Sequence, residues 1–382
     1  NLDLFFSAPE TVRALYAQAA AGHGAAVCEG AMGFYDGLGG VSDTASAWHL
    51  ADTLGLPVLL VVQPRGASLT LAAQINGLKQ FRTPSHLAGI LLNDCAPHLY
   101  VLLAPMLERE TGLPVLGYLP HLPDAALESR HLGLKTAGEI ADLQQKISRM
   151  ADALVMDWEK LSILTEGAAP LVYTDRLPPA GELPPQGGEE QRPRVPIAVA
   201  RDAAFCFTYA ETLEALERAG AELCWFSPLQ DSALPEQIGG LYLPGGYPEN
   251  RLEELAGARL ARESIRSYIE AGGRTLAECG GMIYLSQSVL SDGDTDGGSA
   301  GSCVGNIGNE MVGVLPFSIT NERKRRKLTL GYRRFDYNGW RLKGHEFHYT
   351  QFAVPETDGK EGGACSLPLS IAQVYNAKGG KV

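Results

Sequence analysis

The sequence has no excess of positive charge: its 382 residues carry 32 Lys and Arg against 44 Asp and Glu, a net charge of −12. That excludes the basic footprint of a general nucleic-acid binder. The one basic run, Arg323-Lys324-Arg325-Arg326-Lys327, reads as a solvated turn or a local anion contact. No apolar stretch approaches the roughly 18 residues that a membrane helix needs, and Asn-Leu-Asp-Leu-Phe-Phe at the front has neither the charged nor the apolar region of a signal peptide. Cysteine is scarce and scattered. The seven residues, at 28, 95, 206, 224, 279, 303 and 365, include no CxxC pair, so neither a disulfide framework nor a paired-cysteine zinc site is expected. A reducing, cytoplasmic compartment is the corresponding expectation. The phosphate-cradling loop GxxxxGKS or GxxxxGKT is absent as well.

What the chain does hold is 44 Gly, 23 Pro and 45% hydrophobic residues, the composition of an α/β protein that spends Gly and Pro on many short connections. At about 150 residues per domain its length allows two cores. The span 175–196, DRLPPAGELPPQGGEEQRPRVP, has six prolines and three glycines and reads as the linker between them. Before it, strand-length apolar runs at Ala25 to Cys28, Pro57 to Val62, Leu87 to Leu92 and Leu113 to Leu119 are separated by helical patterns such as Ser42 to Leu54 and Pro97 to Thr111. After it the alternation restarts with strands Ile197 to Ala200, Leu223 to Phe226, Gly240 to Leu243 and Thr275 to Ala277, and with helices around Tyr209 to Ala219 and Glu249 to Ala271. Near-continuous Val and Leu runs fit parallel strands covered on both faces. Both halves are therefore expected to be open, mostly parallel sheets. The stretch Ser291 to Ser302 has no apolar anchor and reads as a surface insertion.

Chemistry concentrates in the second half. Thr275-Leu-Ala-Glu-Cys279-Gly280-Gly281-Met-Ile-Tyr-Leu runs from a short strand through a cysteine and two glycines into a helical pattern, the form of a nucleophile elbow. A cysteine at a helix N-terminus is expected to favour its thiolate. The segment Leu243-Pro-Gly-Gly246-Tyr-Pro-Glu249 is a second strand-to-glycine turn, and the N–H groups of Gly246 and Gly280 can converge on one oxyanion at the carboxyl edge of the sheet.

LPGGYPE at 243–249, AECGGMIYL at 277–285 and GHEFHYT at 344–350 together resemble a class I glutamine amidotransferase domain, and more narrowly the cobyrinic acid a,c-diamide synthase family. The resemblance implies a flavodoxin-like domain in which the Cys279 thiolate attacks the carboxamide of glutamine, forms a γ-glutamyl thioester and releases ammonia. It also implies that the activating histidine belongs to a Tyr-x-His-x-His stretch downstream of GHEFHYT. His345 and His348 are then residues that shape the site, with a base or a core role as the alternatives.

The first half resembles the synthetase domain of the same family. EGAMGFYDG at 29–37 implies Glu29 as a ligand of Mg²⁺–ATP and Asp36 as a carboxylate of the substrate site, in a P-loop-NTPase-like domain without its P-loop. Asn93, ending a strand before Asp94, is the candidate reader of the nucleotide base, with a turn role as the alternative. Ser42-Asp43-Thr44-Ala45 either caps a helix or meets an anion, and Arg130-His131 matches the family's arginine-histidine motif, suited to an anionic tetrapyrrole. In the family the nucleotide loop precedes the NLDLFF-like segment, so the chain is expected to be the middle of a longer enzyme, with a synthetase domain over 1–174 and an amidotransferase domain over 197–382.

The resemblance implies a cytoplasmic ligase that uses glutamine and ATP with Mg²⁺ to amidate the a and c acetates of cobyrinic or hydrogenobyrinic acid in cobalamin biosynthesis. It implies no nucleic-acid or membrane partner and leaves room for a homodimer. Nickel-sirohydrochlorin is the alternative tetrapyrrole. A relative without catalytic activity and a stand-alone cysteine hydrolase are the competing classes, and cobyric acid synthase is a more distant relative.

Overall fold

A computed structural model describes residues 1–127, 129–130, 133–134, 137–166, 193–292, 307–337, 339–353 and 373–376. Arg130 as a side chain, His131, Cys303, Cys365, most of the linker at 175–196 and nearly all of the insertion at 291–302 lie outside the described residues.

The first half opens with α1 (Pro9–Ala20) and α2 (Ala47–Leu54). It continues through β1 (Val58–Val62), α3 (Leu69–Phe81), β2 (Leu87–Asn93), α4 (Pro97–Thr111) and β3 (Val115–Leu119). A short antiparallel pair follows, β4 (Ser129–Arg130) with β5 (Gly133–Leu134), then α5 (Leu143–Ala153), β6 (Val155–Met156) and α6 (Trp158–Glu166). Strands β1, β2 and β3 pair in parallel, and β6 adds antiparallel to β3. Local chemistry sets the helix ends. Proline stands in the first turn of α4, and Gly112 closes it at φ 67°, a left-handed geometry that glycine adopts without penalty. Leu71, Ile75, Ile90, Leu92, Leu107 and Val115 bury one core between this sheet and α3 and α4.

Two expectations fail here. Ala25 to Cys28 is not a strand: no neighbour completes its ladder, and Val27 is 94% exposed. The cap of α2 is Ser46, whose side chain accepts from the His49 N–H, and not the Ser42-Asp43-Thr44 turn before it. Asp43 instead pairs with Arg82 at 2.6 Å.

The second half holds β7 (Val195–Ala200), α7 (Ala210–Arg218), β8 (Ala221–Phe226) and β9 (Gly240–Leu243). After these come α8 (Leu252–Gly257), α9 (Arg259–Glu270), β10 (Thr275–Ala277) and α10 (Gly280–Leu285). All four strands are parallel in the order β10-β9-β7-β8, so the chain steps from β7 to β8 on one side and then to β9 on the other. That is the doubly wound order with its reversal between β7 and β9, where ligand sites form at the carboxyl ends of the strands. The α/β class with mostly parallel sheets is thus as expected. The single helix expected over Glu249 to Ala271 is two: the chain breaks at Ala258, ψ 55°, just past Gly257. The break lets the buried Arg262 guanidinium bond the carbonyls of Ala256 and Met311 and the carboxylate of Glu310.

Beyond α10 the structure is antiparallel in the main. Strands β11 (Ser288–Ser291), β12 (Ile307–Glu310), β13 (Ile319–Thr320) and β16 (Gln351–Phe352) form one sheet. The long hairpin β14 (Thr329–Tyr337) and β15 (Trp340–His348) forms another with β17 (Gln373–Asn376). The front of the chain docks on this hairpin: Phe5 packs on Tyr332 with ring centroids 4.4 Å apart, the Tyr332 hydroxyl donates to Asp3 at 2.7 Å, and Lys343 Nζ donates to the Phe5 carbonyl at 2.6 Å. Phe5 is only 3% exposed. Phe5→Ala is therefore expected to destabilise the protein by about 3 kcal/mol, the usual size for emptying a buried phenylalanine site, read as a lowered denaturation midpoint; an unchanged midpoint would contradict this docking.

Candidate active site

Cys279 sits between β10 and α10 with φ 49° and ψ −108°, a backbone conformation that costs a residue with a Cβ of order 1–3 kcal/mol. Such strain is held only where the surroundings dictate it. Here they do, through three glycines. A Cβ on Gly246 would lie 2.0 Å from the Ala204 carbonyl oxygen, one on Gly281 2.2 Å from that of Leu243, and one on Gly280 3.1 Å from the Gly246 nitrogen. The turns after β9 and β10 are thus in backbone contact, and the isolated bridge from Phe207 to Gly245 ties in the loop after β7. The consequence is proximity: the N–H groups of Gly280 and Gly246 lie beside the Cys279 thiol and favour its thiolate form.

Electrostatics at the sulfur oppose the thiolate in the free protein. Cys279 is exposed at the cavity, yet the protein packed around its sulfur pushes the thiol up most, the Glu249 carboxylate adds to the rise, and the Gly280 and Gly246 N–H groups pull it down by less. This corrects the expectation that the helix N-terminus alone favours the thiolate. Helix α10 is only six residues long, and a buried carboxylate faces its start. Glu249 itself is pushed up to about 7 by burial, with a smaller downward pull from Arg326. Its Oε2 is buried without a hydrogen-bond partner. The nearby Arg326 donates its Nε–H to the backbone and side-chain oxygens of Asn321.

One cavity collects these groups, with Phe207, Gly246, Tyr247, Glu249, Cys279 and His348 in its wall. His348 contributes from the end of β15, but its Nδ1 is 2.8 Å from the Thr350 carbonyl oxygen and its Nε2 3.0 Å from Glu346 Oε1. Both ring nitrogens therefore face oxygen acceptors and not Cys279. His345 is elsewhere: it packs against Tyr332 at 5.5 Å and Phe347 at 6.4 Å, outside the cavity lining. Glu249 has no role assigned by the LPGGYPE motif alone; its position three residues past the Gly246 N–H is the sequence signal that places it at the cavity.

The first-half candidates do not form a comparable cluster. Glu29 and Asp36 are both exposed on the loop after α1, where the Asp36 N–H closes a turn on the Gly33 carbonyl at 2.9 Å. Among the described residues no three His, Cys, Asp or Glu side chains stand close enough to hold a metal ion by themselves. Asn93 ends β2 at the carboxyl edge of the sheet. Next to it, Asp94 accepts from Gln63 at 2.5 Å and pairs with His121 at 2.7 Å, joining the exits of all three parallel strands. No helix among the described residues is long and apolar enough to cross a membrane.

The fold and the cysteine turn define a glutamine amidotransferase: residues 196–364 match the model of the CobB/CobQ-like glutamine amidotransferase domain. Over nearly its whole length the chain is similar to cobyrinate a,c-diamide synthases, with 34% identity over 366 residues to that of Clostridium tetani, covering 93% of this chain and 76% of the relative. The synthase of Priestia megaterium is also 34% identical, over 365 residues, covering 92% of this chain and 74% of the relative. The hydrogenobyrinate a,c-diamide synthase of Brucella abortus is 36% identical over 362 residues, covering 93% and 78%. The chain belongs to the cobyrinate and hydrogenobyrinate a,c-diamide synthase family, the glutamine-dependent ligases of cobalamin biosynthesis.

The sign of one pH effect follows from Glu249. Its folded pKa is raised, from 4.5 to about 7, so the associated stability is present below pH 4.5 and is lost as pH rises through 7, up to ~3 kcal/mol in all. Between pH 5 and pH 8, wild-type protein should lose stability relative to Glu249→Gln in denaturant titrations; parallel pH curves for the two would contradict this.

Proposed function

We propose that the chain catalyses the ATP- and glutamine-dependent amidation of the a and c acetate carboxylates of cobyrinic or hydrogenobyrinic acid, with Cys279 as the glutaminase nucleophile. The observation that carries the assignment is the strained Cys279 turn, packed through Gly280 and Gly281 against the turn that carries Gly246. In the glutaminase half, the thiolate attacks the carboxamide carbon, the carbonyl oxygen takes up negative charge beside the Gly246 and Gly280 N–H groups, and the C–N bond breaks as ammonia leaves with an added proton. Water then cleaves the thioester to give glutamate and the free thiol. In the synthetase half, ATP converts an acetate carboxylate to an acyl phosphate, and ammonia displaces phosphate to form the amide. The names of the relatives support the corrinoid substrate.

We assign the first of these halves to residues 197–382 and the second to 1–174, with 175–196 as the join. Asn93, at the carboxyl edge of the first sheet, is the candidate contact for the nucleotide, and Asp36 for the tetrapyrrole. No step is assigned to Glu29 through a metal. Purified protein carrying Cys279→Ala should lose glutamine-dependent amidation of cobyrinic acid by at least about 10³-fold, the usual scale for deleting a nucleophile, while free ammonia still drives it. Glutamine-dependent turnover that survives the substitution would overturn the assignment.

A further inference from the structure

The Glu249 carboxylate lies in the cavity wall, and the chemistry above gives it no work. It is carried by the same turn as the Gly246 donor, three residues on, and a 3₁₀ turn over Pro248–Asn250 fixes its backbone. Its Oε2 is buried with no hydrogen-bond partner. A buried carboxylate oxygen in that state is costly unless something donates to it. His348 in the same wall has both ring nitrogens against acceptors, and the Arg326 Nε–H donates to Asn321. Among the described residues Glu249 Oε2 meets no donor, and a ligand cation entering the cavity would satisfy a carboxylate best.

We propose that Glu249 receives the α-ammonium group of glutamine, making it the residue that selects an α-amino acid amide over a simple carboxamide. This rests on the glutaminase reading of Cys279. In glutamine the carboxamide carbon and the α-nitrogen are four bonds apart, about 5 Å when extended. Glu249 and Cys279 line one cavity and are near enough for the carboxylate to act on the thiol. One substrate molecule can thus put its carbonyl oxygen at Gly246 and Gly280 and its ammonium at Glu249. The charge logic follows. Without substrate, Glu249 opposes the thiolate; with the ammonium bound, that opposition is cancelled. The nucleophile is released when the correct donor is in place.

The test uses the full-length protein and the release of ammonia from L-glutamine and from glutaramate, which has the same chain and carboxamide but no amino group. Wild-type protein should prefer glutamine by at least about 100-fold in kcat/KM, a typical penalty for leaving a buried charge unpaired. Glu249→Gln should reduce the preference below about 5-fold, mainly by raising the KM for glutamine, and Glu249→Asp should restore part of it. Equal use of the two amides by wild-type protein overturns the proposal without any variant. A preference that survives Glu249→Gln, in protein whose circular dichroism is unchanged, overturns it as well. Failure of the glutaminase reading is a separate result: glutamine-dependent ammonia release that persists in Cys279→Ala.

Discussion

The site depends on one close approach, that of the turn after β9 to the turn after β10. Gly280 lies against Pro248 and Gly246, Gly281 against the Leu243 carbonyl, and Gly246 against the Ala204 carbonyl in the loop after β7; the left-handed geometry of Cys279 is what remains possible between them. A side chain at Gly280 or Gly281 would push the two turns apart, and one at Gly246 would push its turn off the loop after β7. The parallel pairing of β9 with β10, in register from Leu241 with Thr275 to Leu243 with Ala277, delivers both turns to the same edge of the sheet. Fold and chemistry meet in that pairing: the sheet supplies the position, and the glycines supply the proximity.

The charges around the turn run against a permanently active thiol. The protein packed around the sulfur and the Glu249 carboxylate raise Cys279, and the two N–H donors offset only part of that rise. Tyr242 keeps the adjacent Glu278 carboxylate engaged through a 2.5 Å hydrogen bond, so the neighbouring acid is tied to β9. The surrounding protein and the Glu249 carboxylate both favour the thiol over the thiolate in the protein without substrate. The docking of Asp3 and Phe5 on β14 and β15 sets the front of the chain near the cavity wall, because Tyr332 touches His345, and His345 stacks on Phe347 in that wall.

Much of this was legible in the sequence where the signal is local and repeated. α4 over Pro97–Thr111, β9 over Gly240–Leu243 and β10 over Thr275–Ala277 fall where periodicity and glycine punctuation place them, and the Cys279 turn is written in AECGG itself. The failures have physical causes. Ala25 to Cys28 has strand-like residues, but a strand is made by its partner, which local composition does not encode. The break between α8 and α9 is dictated by Arg262, whose three acceptors include two, Met311 and Glu310, nearly fifty residues away. His345 and His348 look alike in GHEFHYT, yet strand alternation sends them to different surroundings, and only His348 reaches the cavity. Glu249 was invisible as a functional group for a related reason: its significance lies in a hydrogen bond it does not make.

The central claim is that Cys279 is the atom through which this protein takes nitrogen from glutamine. Rapid acid quench of the protein with glutamine, followed by peptide mapping by mass spectrometry, addresses it directly. The account predicts a γ-glutamyl thioester on the peptide carrying Cys279, and on no peptide carrying Cys28, Cys95, Cys206 or Cys224. An adduct on any other cysteine, or ammonia release with no thioester trapped on Cys279 during the first turnover, would contradict it.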